Sequence, residues 1–493
     1  MAVRRTKRLT TAAGLVLALL AAMPATPASA APGRFQPGAP GVGDPYYPNY
    51  GNGGYDVTHY DLDVRYQPAT DVLTGHATIL ARATQDLSSF NLDLVGLTVD
   101  AVSVNGVRAG WSRDDHELTV TPQPGLPAGK PFVVDVRYHG VPVTFVIAGT
   151  TLEAGFIHTD DGALVAGQPE VAAAWYPVND HPLDKATYSI QITVPEGLTA
   201  LSNGLLLGSA TRHGWTTWRW SESVPMISYL ATATIGKWRL SQTVYSGRPM
   251  IIAVDPDLPP GLADDAVNRT GEITDYLESL FGPYPFESNG AIVDDYDNLQ
   301  FALENQTRPI YSKYFFAEGA VPGETGVVAH EIAHQWFGDS VGVHFWRDIW
   351  LNEGLATYAQ WLWGERIGEF TVQGAFNFFY NQPVDSIFWQ PPPYDPGVND
   401  LFAASVYYRG AMTVHALRKQ VGEDAFWQIV RDWAAEHRGG NGSNEEFVAL
   451  AERVSGQELD AFFDAWLNNP PKPPNPDPVA AEAPVSRLLA KAF

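Results

Sequence analysis

The spacing of apolar positions changes along the chain and divides it into two regions. From residue 55 to about 247, short runs alternate apolar and polar side chains, as in YDLDVRY at residues 60–66. Such period-two runs, bounded by turn residues, are typical of half-buried strands. Beyond residue 248, apolar residues recur three and four positions apart, which is the spacing of helices. The sequence therefore predicts a multi-domain protein, with an N-terminal all-β domain followed by a mainly α domain.

The turn and breaker residues set the predicted boundaries. Residues 31–54 are rich in Pro, Gly and Tyr and form an irregular lead-in. The β domain covers 55–247, the α domain 248–468 and a Pro-rich tail 469–493. The predicted strands are Tyr55–Tyr66, Val72–Ala81, Phe90–Leu94, Leu97–Val104, Leu118–Thr121, Phe132–Tyr138, Thr187–Val194, Thr217–Trp220 and Ile227–Ile235. The predicted helices are Leu262–Leu280, one from Val327 that stops at Gly338, about Asp348–Glu365, Glu423–His437 and Asn444–Val454.

The first thirty residues have the pattern of a signal peptide. Four basic residues within positions 4–8 precede an apolar run, Thr11–Met23, and Ala28-Ser29-Ala30 follows as a small-residue cleavage site. The apolar run is short for a membrane span. We therefore expect a secreted protein, with residues 1–30 removed and no membrane anchor in the mature chain.

Composition excludes several function classes. The net charge is −24, and it becomes more negative when the basic leader is removed. Such a charge argues against nucleic acid or anionic lipid as a partner. The chain has no cysteine, which excludes thiol catalysis and thiolate metal ligands.

The residues with the clearest chemistry lie between positions 327 and 363. His330-Glu331-x-x-His334 places two imidazoles one turn apart on one helix face, so both can bind one metal ion. Glu331 lies beside the pair, where its carboxylate can take a proton from water activated by the metal. Nineteen positions after His334, Glu353 is a candidate third ligand that leaves one tetrahedral position open, as catalytic zinc requires. Two other interpretations remain open, a hydrogen-bonded core histidine pair and a solvated Glu353.

These motifs resemble a known family. HEIAHQWFGD followed by WRDIWLNEGLA is similar to the zinc aminopeptidases of the aminopeptidase N and leukotriene hydrolase family, and HYDLDV resembles that family's N-terminal domain. The resemblance covers roughly residues 55–468. It implies a saddle-like β domain, a thermolysin-like catalytic domain and one Zn²⁺ per chain. Most members carry a further large helical domain, so this chain resembles a short two-domain form.

The resemblance also assigns substrate-binding residues. The segment Phe301-Ala302-Leu303-Glu304-Asn305 stands where the family has Gly-x-Met-Glu-Asn, whose glutamate binds the α-amino group of the substrate. Ala302 and Leu303 then belong to the substrate site, and Leu303 would reshape the first side-chain pocket. The bulky Phe301 replaces a glycine at a place where substrate and backbone approach closely.

Gln168 and Glu170 match a Gln-x-Glu pair that helps to hold the free amino end. The other interpretation makes them water-exposed loop residues.

Two further positions follow from the same resemblance. Tyr407 aligns with a tyrosine that stabilises the tetrahedral intermediate, and Arg409 stands in place of the family's lysine. Taken alone, the adjacent Tyr407 and Tyr408 would more often be packing residues on a helix. Asp348 precedes Glu353 and can cap a helix or orient a metal ligand.

These residues favour a secreted zinc aminopeptidase that acts on peptides with a free N-terminus. Glu331 would be its general base and Tyr407 its oxyanion donor. The alternative from the same chemistry is a secreted zinc metalloendopeptidase, if Phe301 prevents capture of the amino terminus. A non-catalytic binding module would keep the fold and lose the chemistry.

Overall fold

The computed structural model describes residues 35–146, 152–317, 325–469 and 472–476. The predicted signal peptide 1–30, the start of the lead-in and most of the tail lie outside these residues. Among the described helices, none is long and apolar enough to cross a membrane.

The N-terminal region is a β domain. Its strands are β1 (Gln36–Pro37), β2 (Tyr55–Gln67), β3 (Val72–Ala83), β4 (Leu87–Asp93), β5 (Thr98–Val104), β6 (Val107–Arg108), β7 (Gly110–Asp114), β8 (Glu117–Thr121), β9 (Pro131–Gly140), β10 (Thr144–Val146), β11 (Glu153–His158), β12 (Ala163–Ala166), β13 (Ala186–Pro195), β14 (Thr199–Leu201), β15 (Leu205–Arg212), β16 (Trp215–Met226) and β17 (Thr234–Gly236). The largest sheet has the order β15-β16-β13-β2-β3-β9-β5-β6. Along β2, Tyr60, Leu62, Val64 and Tyr66 are buried, so the predicted alternation is confirmed.

The C-terminal region combines one sheet with a group of helices. Its strands are β18 (Arg239–Tyr245), β19 (Arg248–Val254), β20 (Asn289–Asp294), β21 (Ala302–Leu303), β22 (Ile310–Ser312), β23 (Gly342–Val343) and β24 (Asn441–Gly442). Its α-helices are α1 (Leu262–Val267), α2 (Thr270–Phe281), α3 (Gly326–His334), α4 (Trp350–Arg366), α5 (Val372–Tyr380), α6 (Ala404–Val421), α7 (Glu423–Glu436), α8 (Asn444–Ser455) and α9 (Asp460–Phe463). The main sheet runs β18-β19-β20-β22-β21, with β21 at its edge, and α4 packs between α3 and α6. The predicted fold class, a β domain followed by a mainly helical domain, is confirmed.

Two element predictions are wrong. The helix predicted over Leu262–Leu280 is broken into α1 and α2 around Asn268 and Arg269. Asn, Thr and Gly at positions 268, 270 and 271 are weak helix formers, which favours a break there. The strand predicted over Ile227–Ile235 is instead a 3₁₀ turn at Ser228–Leu230 followed by β17. Every residue of this run is buried, so the run shows no alternation of buried and exposed positions that would distinguish a strand from a turn.

The boundary predicted between Gly247 and Arg248 falls inside a hairpin. β18 and β19 pair antiparallel through this turn, and both belong to the main sheet of the C-terminal region. By its pairing, β18 groups with the C-terminal domain although the sequence assigns it to the β domain.

The described part of the lead-in packs against both domains. Asp44 accepts a hydrogen bond from the backbone N–H of Trp346 at 2.9 Å, and the Tyr46 hydroxyl donates to Asp395. Apart from β1, the described residues of the lead-in form no helix or strand, but their side chains are fastened to the body of the protein. The tail also makes contacts in its described part, where the Tyr380 hydroxyl donates to the carbonyl of Pro473 at 2.8 Å.

Candidate active site

Three side chains meet where α3 and α4 face each other. Nε2 of His330 and Nε2 of His334 are 3.1 Å apart, and both lie within 3.3 Å of Oε2 of Glu353. Ligands on tetrahedral zinc, with bonds of about 2.0–2.2 Å, lie roughly 3.3–3.6 Å from one another. The three atoms form a nearly equilateral triangle of this size, so the residues fit the ion.

The orientation of both imidazoles is set by neighbouring residues. Nδ1 of His334 donates to the carbonyl of Phe337 at 2.9 Å, which leaves its Nε2 free to bind metal. The chain can turn back to make this contact because Gly338 adopts a φ of +140°, which favours glycine. The ring of His330 is held by Tyr407 of α6, whose ring stacks on it with centroids 6.0 Å apart.

Glu353 is an anion in this setting. Its side chain is buried, which would raise its pKa, but the two imidazoles oppose this effect and lower the pKa to about 2. Helix α4 is buried on every side from Trp350 to Gly364, so the interpretation of Glu353 as a solvated residue is wrong. The side chain instead faces the histidines of α3.

Glu331 lies beside this triangle and is also buried, at 5% exposure. One ligand atom from each of Glu304, Glu331 and His334 lies within 4.8 Å of the others. Burial raises the pKa of Glu331 well above its usual range, while His334 opposes and Glu304 reinforces that shift. A carboxylate that gains a proton readily, next to a metal position, is suited to general-base chemistry.

Glu304 follows the edge strand β21 and is held by the β domain. Its Oε1 accepts a hydrogen bond of 2.7 Å from the Tyr229 hydroxyl and another from Nε2 of Gln168. Gln335, the residue after His334, donates from Nε2 to the backbone carbonyl of Glu304 at 3.0 Å and accepts the Thr307 N–H at 2.8 Å. Glu304 is therefore fixed to the metal-binding segment through its backbone and to the β domain through its side chain.

The other two residues predicted to hold the substrate's amino end, Gln168 and Glu170, have different surroundings. Gln168 reaches Glu304, whereas Oε2 of Glu170 is buried without a hydrogen-bond partner among the described residues. Burial and the nearby Asp180 raise the pKa of Glu170 to about 8. Neither residue is freely exposed, so the exposed-loop interpretation of this pair is wrong.

The segment before Glu304 forms the edge of the main sheet. Ala302 and Leu303 pair with Tyr311 and Ile310 of β22. Leu303 is buried and Ala302 is half-buried. The ring of Phe301 is half-buried and packs against the hydrophobic core, so the protein itself surrounds part of this bulky side chain.

The two adjacent tyrosines of α6 have different surroundings. The ring of Tyr407 stacks on His330, with centroids 6.0 Å apart and an interplanar angle of 22°. Tyr408 stacks on Phe379 at 4.3 Å and packs against Phe388, in an aromatic cluster. Burial raises the pKa of Tyr407 well above its usual range, so its hydroxyl keeps its proton and can donate it.

Two motif glycines explain how α4 and α6 approach so closely. A β-carbon at Gly354, next to Glu353, would lie 2.9 Å from the backbone of Gly410, and the reverse contact is equally short. Only glycine fits at both positions of this crossing. The crossing brings Tyr407, three residues before Gly410, to the same side as the metal ligands.

Arg409 and Asp348 have structural roles. The buried Arg409 guanidinium donates to the carbonyls of Trp466 at 2.7 Å, Trp389 at 2.9 Å and Asn469 at 2.8 Å. Asp348 is not the cap of α4, which has no side-chain cap. Its carboxylate instead accepts the N–H of Asn444 at the start of α8, at 3.3 Å.

Two residues that position Glu304, Tyr229 and Gln335, are not predicted from the sequence. Tyr229 lies in the run predicted as a strand, and nothing in its local pattern connects it with Glu304, 75 positions later. A signal for Gln335 exists, because it follows the second histidine within HEIAHQW, but its partners depend on tertiary structure.

A buried His-His-Glu set with an adjacent glutamate, in a helical domain behind a β domain, defines a zinc metallopeptidase. The family models support this class over most of the chain. The peptidase M1 N-terminal domain matches residues 57–230, and the peptidase family M1 domain matches residues 266–466. The chain belongs to peptidase family M1, and the predictions of a zinc cofactor and of an enzyme are confirmed.

Solved structures agree with this assignment. A variant of the M1 zinc metallopeptidase from Deinococcus radiodurans superposes with a TM-score of 0.81 at 30% identity, covering 89% of this chain and 100% of that one. The same protein bound to a Tyr-Ser-Ala substrate gives a TM-score of 0.80 at 30% identity, with the same coverage. A two-domain M1 zinc metallopeptidase bound to L-arginine also matches, at 0.80 and 29% identity over 89% of this chain and 100% of that one.

Relatives of greater length also match. Aminopeptidase N from Streptomyces lividans is 27% identical over 76% of this chain. Glutamyl aminopeptidase from Sus scrofa is 26% identical over 61% of it. The aligned region spans 46% of the first relative and 34% of the second, so this chain corresponds to less than half of either.

Proposed function

We propose that this protein is a secreted zinc aminopeptidase, which removes residues from peptides with a free N-terminus. The observation that carries the proposal is the position of Glu304. Its carboxylate is buried at 3% exposure, and one of its oxygens lies within 4.8 Å of ligand atoms of Glu331 and His334. Among the described residues, its side-chain hydrogen bonds come from the neutral donors Tyr229 and Gln168. The α-amino group of a substrate would supply the missing positive charge.

Binding of the amine fixes which bond is cleaved. A protonated amine and a carboxylate form a strong charge-assisted hydrogen bond in a partly desolvated site. With the amine on Glu304, the carbonyl of the first residue would lie beside Glu331 and the proposed metal ligands. An N-blocked peptide offers no such cation, and Glu304 would remain buried without a charged partner.

The residues around the metal then have separate roles. We assign His330, His334 and Glu353 as the ligands of zinc, which, when bound, polarises a carbonyl group and makes water more acidic. Glu331 takes the proton of the attacking water on its carboxylate and passes it to the leaving amine. The Tyr407 hydroxyl donates a hydrogen bond to the oxygen on which negative charge develops. Gln168 supports Glu304, and Ala302 and Leu303 provide the strand edge along which the substrate would lie.

Secretion rests on the leader pattern of residues 1–30, in which basic residues precede a short apolar run and a small-residue cleavage site. Fractionation of a producing culture tests it. We expect the mature chain in the medium, beginning after residue 30. An unprocessed chain inside the cells would contradict secretion.

The activity is tested by the products formed from an unmodified decapeptide. An aminopeptidase releases single residues, so mass spectrometry should show a ladder that shortens only from the N-terminus. A chelator should stop the reaction, and one equivalent of Zn²⁺ should restore it. Internal fragments would instead identify the metalloendopeptidase, and an absence of cleavage by the zinc-loaded protein would identify a binding module.

A further inference from the structure

A second cluster of metal-binding side chains lies in the β domain. Asp93 ends strand β4, and Glu117 begins β8 directly opposite it in the antiparallel ladder. His116 precedes Glu117 in the turn from β7. One ligand atom from each of Asp93, His116 and Glu117 lies within 4.8 Å of the others. None of the three belongs to the candidate active site.

Three of the four carboxylate oxygens in this cluster have no hydrogen-bond donor among the described residues. Asp93 is fully buried, and its Oδ2 accepts from the N–H of Gly51 at 3.3 Å, from Asn52 at 3.1 Å and from the N–H of Asp180 at 2.8 Å. Its Oδ1 is buried and has no partner among the described residues. Both carboxylate oxygens of Glu117 are also buried without a partner. Buried acceptors are normally paired, so three unpaired oxygens on two facing carboxylates provide ligand atoms that a cation could bind.

The charges point the same way. Burial raises the pKa of Glu117 to about 7 and that of Asp93 well above its usual range. Burial therefore makes both carboxylates costly to ionise, and the nearby Glu117 adds to this cost for Asp93. A bound divalent cation would compensate both charges at once.

We propose that Asp93, His116 and Glu117 bind a divalent transition-metal ion, separate from the zinc of the active site. One imidazole and two carboxylates form a mixed nitrogen and oxygen donor set, which suits zinc or manganese. Calcium and magnesium prefer oxygen ligands alone.

The cluster lies beneath the lead-in, so a bound ion would affect how this segment is held. The lead-in covers it, because Gly51 and Asn52 bind Asp93 and the Tyr50 ring stacks on His116 at 4.2 Å. Earlier in the same segment, Asp44 binds the backbone of Trp346, shortly before α4 begins. An ion at the cluster would fasten the lead-in to the β domain and thereby strengthen its contact with the catalytic domain.

Manganese binding by the zinc-loaded enzyme tests the proposal. Mn²⁺ is followed by electron paramagnetic resonance, and zinc content is measured in the same samples to detect exchange at the active site. We expect about one Mn²⁺ bound per chain beyond the zinc, and a rise in Tm of about 3–5 °C at hundredfold excess over Kd. Glu117→Gln should weaken this binding at least about tenfold and remove the rise in Tm.

The choice of variants keeps the test independent of folding. Glu117 has no hydrogen bond to lose, so Glu117→Gln should fold, whereas Asp93 holds three donors. Asp114→Asn is the matched control, since Asp114 is an exposed residue of the same hairpin, and it should behave as the parent does. The proposal is overturned if the parent binds no additional Mn²⁺, or if Glu117→Gln binds it equally well. The first result would mean that protonation, and not a bound cation, neutralises Asp93 and Glu117.

Discussion

The hydroxyl of Tyr229 donates a 2.7 Å hydrogen bond to Oε1 of Glu304. Tyr229 lies in the β domain, and Glu304 follows the edge strand of the catalytic domain. The Tyr229 ring also packs on Trp346, with centroids 5.6 Å apart, just before α4. The β domain thus positions a carboxylate that the catalytic domain presents, which gives it a direct part in the proposed substrate site.

Glu331→Gln should separate metal binding from turnover. The amide has nearly the shape of the carboxylate but cannot accept the proton of the attacking water. We expect kcat to fall by at least about 10²-fold with one zinc retained per chain, as measured by steady-state kinetics and elemental analysis. Turnover near the parent rate would show that Glu331 is not the base.

Tyr407→Phe tests the proposed oxyanion donor. The variant keeps the ring that stacks on His330 and removes only the hydroxyl, whose hydrogen bond forms mainly in the transition state. We expect kcat to fall by about 10²–10³-fold with little change in KM. Tyr408→Phe is the matched control, because Tyr408 packs on Phe379 and should be replaceable with little loss of rate. The opposite result would exchange the roles of the two tyrosines.

Arg409→Lys should destabilise the protein without removing zinc. A lysine cannot replace the fork of donors that binds the carbonyls of Trp389, Trp466 and Asn469, so buried acceptors lose their partners. We expect a loss of about 1–3 kcal/mol in the free energy of unfolding, measured by denaturant titration. Arg453→Lys, at an exposed pair with Glu436, should change stability by less than about 0.5 kcal/mol. Equal effects of the two substitutions would contradict the assigned role.

The raised pKa of Asp184 should make the stability of the protein depend on pH. Burial and the nearby Asp56 raise its pKa to about 8, from 3.8 for an ordinary aspartate. Between these two pH values, Asp184 is protonated in the folded chain and ionised in the unfolded chain. Its contribution to the free energy of unfolding is therefore greatest at low pH and decreases as the pH rises toward 8. This group alone contributes a decrease of up to about 1.4 kcal/mol per pH unit.

Asp184→Asn should make the unfolding free energy decrease less between pH 5 and 8. Denaturant titrations at several pH values measure this slope. Asp63→Asn is the control. Asp63 is exposed on β2, which pairs with the strand β13 that begins just after Asp184, so this substitution should leave the slope unchanged. An identical slope in the parent and in Asp184→Asn would exclude Asp184 as its source.

The proximity of His330, His334 and Glu353 can be predicted from the sequence because it depends on local geometry. His330 and His334 are one helical turn apart, and Glu353 lies on the helix that packs against them. The pairing of Gln168 with Glu304 follows from the family resemblance, since the two lie 136 positions apart. The alternation along β2 predicts its buried face directly, because every second residue points inward.

The rest depends on packing that no local pattern encodes. Every residue of the run Ile227–Ile235 is buried, so the turn that presents Tyr229 cannot be predicted from periodicity. Asp348 has the sequence position of a cap for α4. Its carboxylate instead accepts a hydrogen bond from the N–H of Asn444, because the start of α8, 96 positions later in the chain, packs beside it. Strand β18 resembles the strands before it and is therefore placed on the β-domain side of the predicted boundary, although it pairs with β19 in the main sheet of the C-terminal region.

The central claim is that Glu304 recognises a free amino terminus. The most direct test compares kcat/KM for aminoacyl fluorogenic amides with that for their N-acetylated forms, in the parent and in Glu304→Gln. Glu304→Gln keeps the size and an acceptor for Tyr229 but removes the negative charge. We predict that the parent prefers the free amine by at least about 10²-fold, equivalent to about 3 kcal/mol, and that the variant loses most of this preference. Equal cleavage of free and blocked substrates by the parent, unaffected by Glu304→Gln, would show that Glu304 does not recognise the amino terminus.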